Sequence, residues 1–156
     1  VGEIKEVEPK VLYDLLDTDF LPIVCPVGMD DSFHSYNINA DDAARAIAEA
    51  VNAEKLAFLS DIEGVLTDRN DPETLISELT VKEAQELIDK GIVDGGMIPK
   101  LQSCMRAITE GVNRVHILDG RIPHCLLLEI FTNKGIGTAI QRDDEEKYDN
   151  TSRQNS

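Results

Sequence analysis

The fold of this chain is indicated by residues 39–64, which read NADDAARAIAEAVNAEKLAFLSDIEG. The first half has an asparagine that can cap a helix, two aspartates in the first helical turn and a narrow apolar stripe at helical spacing. The second half is a short apolar run, residues 56–60, that predicts a buried strand and ends in a polar loop. Helices that alternate with buried strands are typical of α/β proteins, and open α/β sheets bind ligands at the loops after their strands.

The same alternation continues on both sides of this unit. We expect helices at residues 11–16, 40–51, 80–89, 99–110 and 126–131, buried strands at 21–27, 56–60 and 115–118, and an edge strand at 137–140. This order predicts an α/β fold with a mainly parallel sheet sandwiched by helices. We expect residues 1–140 to form one domain with a single core, and the polar, acidic residues 141–156 to be a disordered tail.

The charge of the chain limits its partners. Lys and Arg together number 15, whereas Asp and Glu number 30, which gives a formal net charge of -15. This excess disfavours general attraction to nucleic acid or to an anionic membrane. No apolar run approaches the roughly 20 residues that span a bilayer, and the first residues lack the order of a signal peptide. We therefore expect a soluble, cytoplasmic protein in which local groups hold any phosphate ligand.

The cysteines and histidines do not indicate a metal site or a nucleophile. The three cysteines, Cys25, Cys104 and Cys125, are widely spaced and form no CxxC pair. The three histidines show no metal-ligand spacing, and no serine or cysteine lies in a nucleophile-elbow motif. We expect no metal ligands, and we expect the cysteines to be small core residues in a reducing compartment.

A lysine stands in the first turn of a predicted helix, where its charge opposes the helix dipole. Lys100 follows the paired glycines Gly95 and Gly96 and the helix-starting Pro99. The position is favourable if an anion lies between the ammonium and the helix N-terminus, because the glycines let backbone N–H groups approach that anion. The alternative is that the glycines only end one helix and Lys100 is solvated. The two explanations have equal weight, because the interaction of a charge with the helix dipole contributes roughly a few tenths of a kcal/mol.

Two amides and two carboxylates surround the start of the helix predicted at 40–51. Asn37 and Asn39 can donate hydrogen bonds to a ligand carboxylate, and Asp41 and Asp42 can orient a nearby lysine. Capping alone explains Asn39 and Asp42, which stand three residues apart as cap and third helical residue. Capping leaves Asn37 and Asp41 without a role, so ligand binding stays open beside it.

Three segments, taken in order, resemble the N-acetylglutamate kinases of the amino-acid-kinase fold. They are residues 36–41 (YNINAD), 59–66 (LSDIEGVL) and 95–100 (GGMIPK). Residues 115–121 (VHILDGR) and 135–138 (GIGT) fit the same pattern, so the resemblance runs from about residue 1 to residue 140. The family's glycine-rich phosphate loop, its Gly-Gly pair and its substrate-gripping arginine cannot be aligned. The chain therefore resembles the C-terminal, nucleotide-binding part, with the N-terminal, substrate-binding part absent.

The resemblance implies transfer of the ATP γ-phosphoryl group to the side-chain carboxylate of N-acetyl-L-glutamate, a step of arginine biosynthesis. It implies that Lys100 stabilises the charge on the transferring phosphoryl group, that Asp41 holds Lys100, and that Asn37 contacts acetylglutamate. The nucleotide pocket would include Ser60, Asp61, Met97 and Lys100. A carboxylate acceptor is already ionised at neutral pH, so no general base is needed. The ATP phosphates would carry the Mg ion themselves.

The resemblance also implies regulation. His116, Glu129 and Gly135 fall at positions similar to the arginine site of feedback-inhibited family members, where a carboxylate could pair with a guanidinium. Members of the family suggest a homo-oligomer for the full-length protein, and the plastid stroma as the compartment in a photosynthetic eukaryote.

Two other functions remain open. One is a related amino-acid kinase that acts on aspartate, glutamate, carbamate or a nucleoside monophosphate. The other is a regulatory module that binds arginine or a signalling protein and transfers no phosphate. Because groups that would stabilise the transferring charge are missing, we expect these 156 residues alone to bind nucleotide weakly and to show little or no turnover.

Overall fold

The computed structural model describes residues 1–132 and 135–143. The five predicted helices are present, and the predicted strands at residues 56–60 and 115–118 are found within two of the strands. In chain order the helices and strands are α1 (Lys10–Leu16), β1 (Val27–Met29), β2 (Ser35–Asn37), α2 (Ala40–Ala50), β3 (Lys55–Ser60), β4 (Val65–Leu66), β5 (Leu75–Ile76), β6 (Glu78–Thr80), α3 (Val81–Asp89), α4 (Met97–Thr109), β7 (Arg114–Asp119), α5 (Cys125–Phe131) and β8 (Thr138–Gln141).

The main sheet has four strands in the order β3–β7–β8–β6. β3 pairs parallel with β7, β8 pairs parallel with β6, and β7 pairs antiparallel with β8. The helices α2, α3 and α4 pack against these strands, and α2 and α3 each pack against α4. The expectation of an α/β fold with a mainly parallel sheet flanked by helices is therefore confirmed. Short antiparallel pairs, β1 with β2 and β4 with β5, accompany the main sheet.

Two helices begin at the capping residues that the sequence indicates. The Asn39 side chain accepts hydrogen bonds from the backbone N–H groups of Asp41 and Asp42, at 2.9 and 3.1 Å. Thr80 and Glu83 form a reciprocal capping box, in which each side chain accepts from the other's backbone N–H. Local chemistry therefore fixes where α2 and α3 start.

The predicted edge strand at residues 137–140 is wrong in its position. β8 lies inside the sheet, between β7 and β6, and all four of its residues are buried. Its polar side chains fit there because Thr138 exchanges hydrogen bonds with the backbone of Val65 and Ile76, while Gln141 accepts one from Arg114. The predicted tail also begins too early, since Gln141 belongs to β8; residues 144–156 lie outside the described residues.

The predicted buried strand at residues 21–27 is also wrong. Residues 21–26 form no strand, and Leu21 and Ile23 are 84% and 90% exposed. Only Val27 enters a strand, β1, whose partner is β2. Pro22 and Pro26 lack backbone N–H groups, and no neighbouring strand in the described chain receives the apolar side chains.

The core lies between the main sheet and the helices, and α4 contributes the most to it. Cys104 and Cys125 are buried as expected, whereas Cys25 is exposed, so the expectation of a core position is wrong for Cys25. α4 begins at Met97, so Pro99 falls within the first turn and not at the first helical position.

Candidate functional site

A pocket of about 370 Å³ lies at the carboxyl end of β3 and beside the start of α4. The end of β3 and its following loop form one wall, and the loop before α4 with the first turn of that helix forms another. All four predicted nucleotide-binding residues line it together, namely Ser60, Asp61, Met97 and Lys100. The loop after β7 adds Arg121. The pocket occupies the position where open α/β sheets bind ligands.

Lys100 is held in place at the pocket wall. Its Nζ lies 3.6 Å from Asp41 Oδ2 and 5.6 Å from the centroid of the Phe58 ring, and its side chain is only 18% exposed. The ion pair and the aromatic face both restrict the ammonium group. Lys100 is therefore not a freely solvated lysine, and Asp41, which capping left without a role, has a partner.

The start of α4 lies at the same pocket and has no side-chain cap. Gly96 precedes the helix and has no side chain that could cap it, whereas Asn39 and Thr80 cap α2 and α3. Gly95 has a φ of 51°, a conformation that glycine adopts without strain. Met97 donates its N–H to the Asp94 carbonyl at 3.1 Å and Pro99 has no N–H, so Ile98 is the first-turn residue whose N–H could bind an anion. Lys100 projects from the same turn.

Asn37 stands apart from the pocket lining. It is the last residue of β2, is exposed, and is not among the described residues that line the pocket. Chain connectivity places it just before the start of α2, where Asp41 lies. The contact of Asn37 with acetylglutamate therefore stays a prediction.

Sequence reasoning did not assign a role to Arg121. This residue follows β7 and donates from Nε and Nη2 to the two carboxylate oxygens of Asp119, both at 2.8 Å. Hydrogen bonds from the Arg121 side chain and backbone hold the pKa of Asp119 below its usual value. The sequence offered one signal for this pair: Asp119 and Arg121 stand two residues apart, directly after the predicted buried strand at residues 115–118.

His116, Glu129 and Gly135 form a second cluster, away from the pocket lining. His116 Nδ1 lies 2.8 Å from Glu129 Oε1, and both side chains are less than 10% exposed. Burial alone would raise the pKa of Glu129, but hydrogen bonds from His116 and the Ile136 N–H outweigh it and hold the pKa below its usual value. A Cβ at Gly135 would come within 3.0 Å of Glu129 Oε2. The structure thus brings the three predicted effector residues together.

Two features are absent from residues 1–132 and 135–143. These residues contain no group of three or more His, Cys, Asp or Glu residues placed to hold a metal ion. They also contain no helix of the length and apolar character needed to span a membrane.

Comparison with known proteins assigns the sequence to a family. Residues 1–119 match the amino acid kinase family. The chain belongs to this family. The acetylglutamate kinase of Campylobacter jejuni is 55% identical over 140 residues, which are 90% of this chain and 50% of the length of that relative. The acetylglutamate kinase of Methanococcus aeolicus is 48% identical over 143 residues, 92% of this chain and 49% of its own length. The chain therefore spans about half the length of the curated relatives that it matches.

A solved structure has a fold similar to that of this chain. The N-acetylglutamate synthase from Neisseria gonorrhoeae, crystallised with coenzyme A and L-arginine, superposes with a TM-score of 0.82 at 30% sequence identity. The match covers 92% of this chain and 32% of the synthase chain. The family and the fold that the resemblance implied are both confirmed.

Proposed function

We propose that this chain supplies the nucleotide-binding part of an acetylglutamate kinase, which transfers the ATP γ-phosphoryl group to the side-chain carboxylate of N-acetyl-L-glutamate. The observation that carries the proposal is the ion-paired Lys100 at the uncapped start of α4, on the wall of the pocket. The likeness to two acetylglutamate kinases supports the choice of acceptor. The pocket by itself supports only a phosphate-bearing ligand.

The residues present fit a magnesium nucleotide. The pocket combines the Lys100 ammonium with the N-terminal end of a helix, and both kinds of group bind phosphate oxygens. Mg-ATP, when bound, would supply the phosphoryl group and the cation that screens its charge near a protein of net charge -15. The described residues offer no metal cluster of their own, so the phosphates would hold the ion.

Each residue of the site has a role in this proposal. Lys100 Nζ would stabilise the charge on the phosphoryl oxygens and on the leaving ADP during transfer, and Asp41 keeps that ammonium at the pocket wall. Ser60, Asp61 and Met97 would contact the nucleotide from the pocket lining. The acceptor carboxylate is ionised at neutral pH, so positioning and charge stabilisation suffice without a general base. Asn37 would contact the acceptor.

Calorimetric titration with Mg-ATP tests the proposal. We expect weak but saturable binding to the chain, weakened by Lys100→Ala, because a phosphate-binding cation has been removed. Lys90→Ala is the matched control, since Lys90 is a surface lysine paired with Glu86 outside the pocket lining. Equal binding by the wild-type chain and Lys100→Ala would contradict the proposal, and so would the absence of saturable binding. We expect little or no turnover from these 156 residues alone.

A second candidate function is arginine binding at the other cluster. The observation in its favour is the convergence of His116, Glu129 and Gly135. The Neisseria gonorrhoeae synthase, of similar fold, was crystallised with L-arginine. Titration with L-arginine tests this function, and unchanged affinity in Glu129→Ala would contradict it. Arginine binding without nucleotide binding would favour a regulatory module over a kinase. We also propose that the full-length protein is a homo-oligomer and that it is located in the cytoplasm.

A further inference from the structure

We propose that Arg121 binds a phosphate group of the nucleotide and is a specificity-determining residue of the pocket. The inference rests on the proposed nucleotide site and extends it. The sequence resemblance gave Arg121 no role, although it lies in one of the segments that carry the resemblance. Three structural relationships support the proposal: the position of its loop, the way its guanidinium is held, and the contrast with the other arginine in the pocket.

The loop after β7 is held against the end of β3. Asp119 and Ser60 are register partners at the carboxyl ends of these parallel strands, and the Gly120 N–H donates to the Ser60 carbonyl at 2.8 Å. A Cβ at Gly120 would approach Leu59 Cβ to 3.3 Å, so the two segments lie in close contact. This contact places Arg121 on the pocket wall, beside the residues that end β3.

The guanidinium of Arg121 is fixed by a buried carboxylate. Asp119 Oδ1 accepts from the Arg121 backbone N–H at 2.9 Å and from Nε at 2.8 Å, while Oδ2 accepts from Nη2. The Asp119 side chain is only 7% exposed, whereas the Arg121 side chain is 64% exposed. A buried carboxylate whose two oxygens both accept hydrogen bonds from one arginine fixes the plane of that guanidinium. The other edge of the guanidinium stays accessible.

The accessible edge suits a phosphate. Of the five guanidinium N–H donors, the pair with Asp119 uses one on Nε and one on Nη2. The two donors on Nη1 and the second donor on Nη2 face away from Asp119. One N–H from each of Nη1 and Nη2 forms a fork that matches two oxygens of one phosphate group. Preorganisation of this fork lowers the entropy lost when the ligand binds.

Arg69, the other arginine of the pocket lining, is not held in this way. Its side chain is 84% exposed, and its ion pair is a single contact of 3.5 Å to Asp94, which is itself 77% exposed. Exposed pairs of this kind restrict a side chain little. Arg69 is therefore a control of the same residue type in the same pocket.

Calorimetric titration of the 156-residue chain with Mg-ADP and with adenosine tests the proposal. We expect Arg121→Gln to lower the affinity for ADP about tenfold to a hundredfold and to leave the affinity for adenosine unchanged. Arg121→Lys keeps the charge but lacks the fork, so its loss should be intermediate. Arg69→Gln should change the ADP affinity by less than about twofold. Circular dichroism of each variant checks that it folds.

Asp119 acts through Arg121 in this proposal and is a positioning residue. Asp119→Asn should lower the affinity for ADP in the wild-type chain but should cause no further loss in the Arg121→Gln background, because coupled residues are not additive. If Lys100→Ala lowers the affinity while Arg121→Gln does not, the nucleotide site stands and the role of Arg121 is overturned. Equal losses for ADP and adenosine in Arg121→Gln would overturn the phosphate contact. If the wild-type chain binds no ADP, the site and the role of Arg121 both fall.

Discussion

Lys100 Nζ lies 3.6 Å from Asp41 Oδ2, so an ion pair joins the first turns of α4 and α2. The same helices are joined again by the ion pair of Arg45, on α2, with Glu110 at the end of α4. These two contacts fix the position of α2 against α4, and the pocket lies at the end where Lys100 and Asp41 meet. The geometry of the candidate site therefore depends on a helix that contributes no residue to the pocket lining.

Asp41→Asn should weaken Mg-ATP binding several-fold, less than Lys100→Ala does, because the lysine stays but is no longer held. The free energy of unfolding should change by less than about 1 kcal/mol, since the Asp41 side chain is 44% exposed. Calorimetry and urea unfolding measure the two quantities. Asp42→Asn, in the same helical turn, is the control, and an equal loss of affinity in both variants would contradict a specific role for Asp41.

Glu110→Gln should lower the free energy of unfolding by about 2–3 kcal/mol, because the buried Arg45 loses its closest ionic partner and keeps only a contact of 3.9 Å to Asp42. The exposed Arg106 also loses its ion pair with Glu110, which adds little to the cost. Urea unfolding at neutral pH measures this loss. Glu86→Gln removes the exposed ion pair with Lys90 on α3 and should cost less than about 0.5 kcal/mol. Similar losses in the two variants would show that burial of Arg45 does not determine the cost.

Glu129 should make the protein less stable in acid. Its pKa is held below the usual value in the folded state, so its contribution is present above the unfolded pKa and is lost as the pH falls through the folded pKa. The free energy of unfolding should therefore fall between about pH 5 and pH 3, and it should fall less steeply in Glu129→Gln. Urea unfolding across this range measures both slopes. Parallel curves would contradict a depressed pKa.

Thr138→Val should lower the free energy of unfolding by about 1–3 kcal/mol, because the Val65 N–H loses a buried acceptor at 2.8 Å. Side-chain volume is nearly unchanged, so the hydroxyl group accounts for the difference. Thr109→Val is the matched control, since the Thr109 hydroxyl donates only to the Met105 carbonyl within α4. Thermal or urea unfolding gives both values, and a negligible cost at Thr138 would show that water replaces the lost acceptor.

Cys25 should be the thiol that reacts fastest with a thiol reagent in the native protein. Cys25 is exposed, whereas Cys104 and Cys125 are buried, and burial raises the pKa of Cys104 to about 12. A colorimetric assay should count one fast thiol in buffer and three in denaturant. Cys25→Ser should abolish the fast phase, and a remaining fast phase would contradict the buried positions.

Features that depend on neighbouring residues could be predicted from the sequence. Asn39 and Thr80 start their helices where the capping patterns indicate, because each cap uses the next few residues. The contact between Lys100 and Asp41 joins distant segments, and reasoning from the residues left it undecided. The family resemblance predicted that contact, although the catalytic role of both residues stays a prediction.

Errors arose where burial depends on distant partners. The apolar run at residues 21–27 predicts a buried strand, yet no strand in the described chain covers it. Residues 137–140 are predicted as an edge strand that is followed by a polar tail from Gln141, but β8 lies inside the sheet and Gln141 is buried, where its side chain accepts a hydrogen bond from Arg114. Arg121 had no assigned role because its guanidinium is fixed only once Asp119 is buried at the end of β7.

Because β8 is the last strand in the described chain and lies inside the main sheet, the sheet can be completed only after residues 138–141 have been synthesised. Residues 138–141 join β7 to β6, and both of these strands leave the ribosome before them. Until β8 arrives, the nascent chain has two strand edges with unpaired N–H and C=O groups, which favour association with other chains. A stop codon just before residue 138 would therefore leave two unjoined parts of a sheet and not a slightly shortened protein.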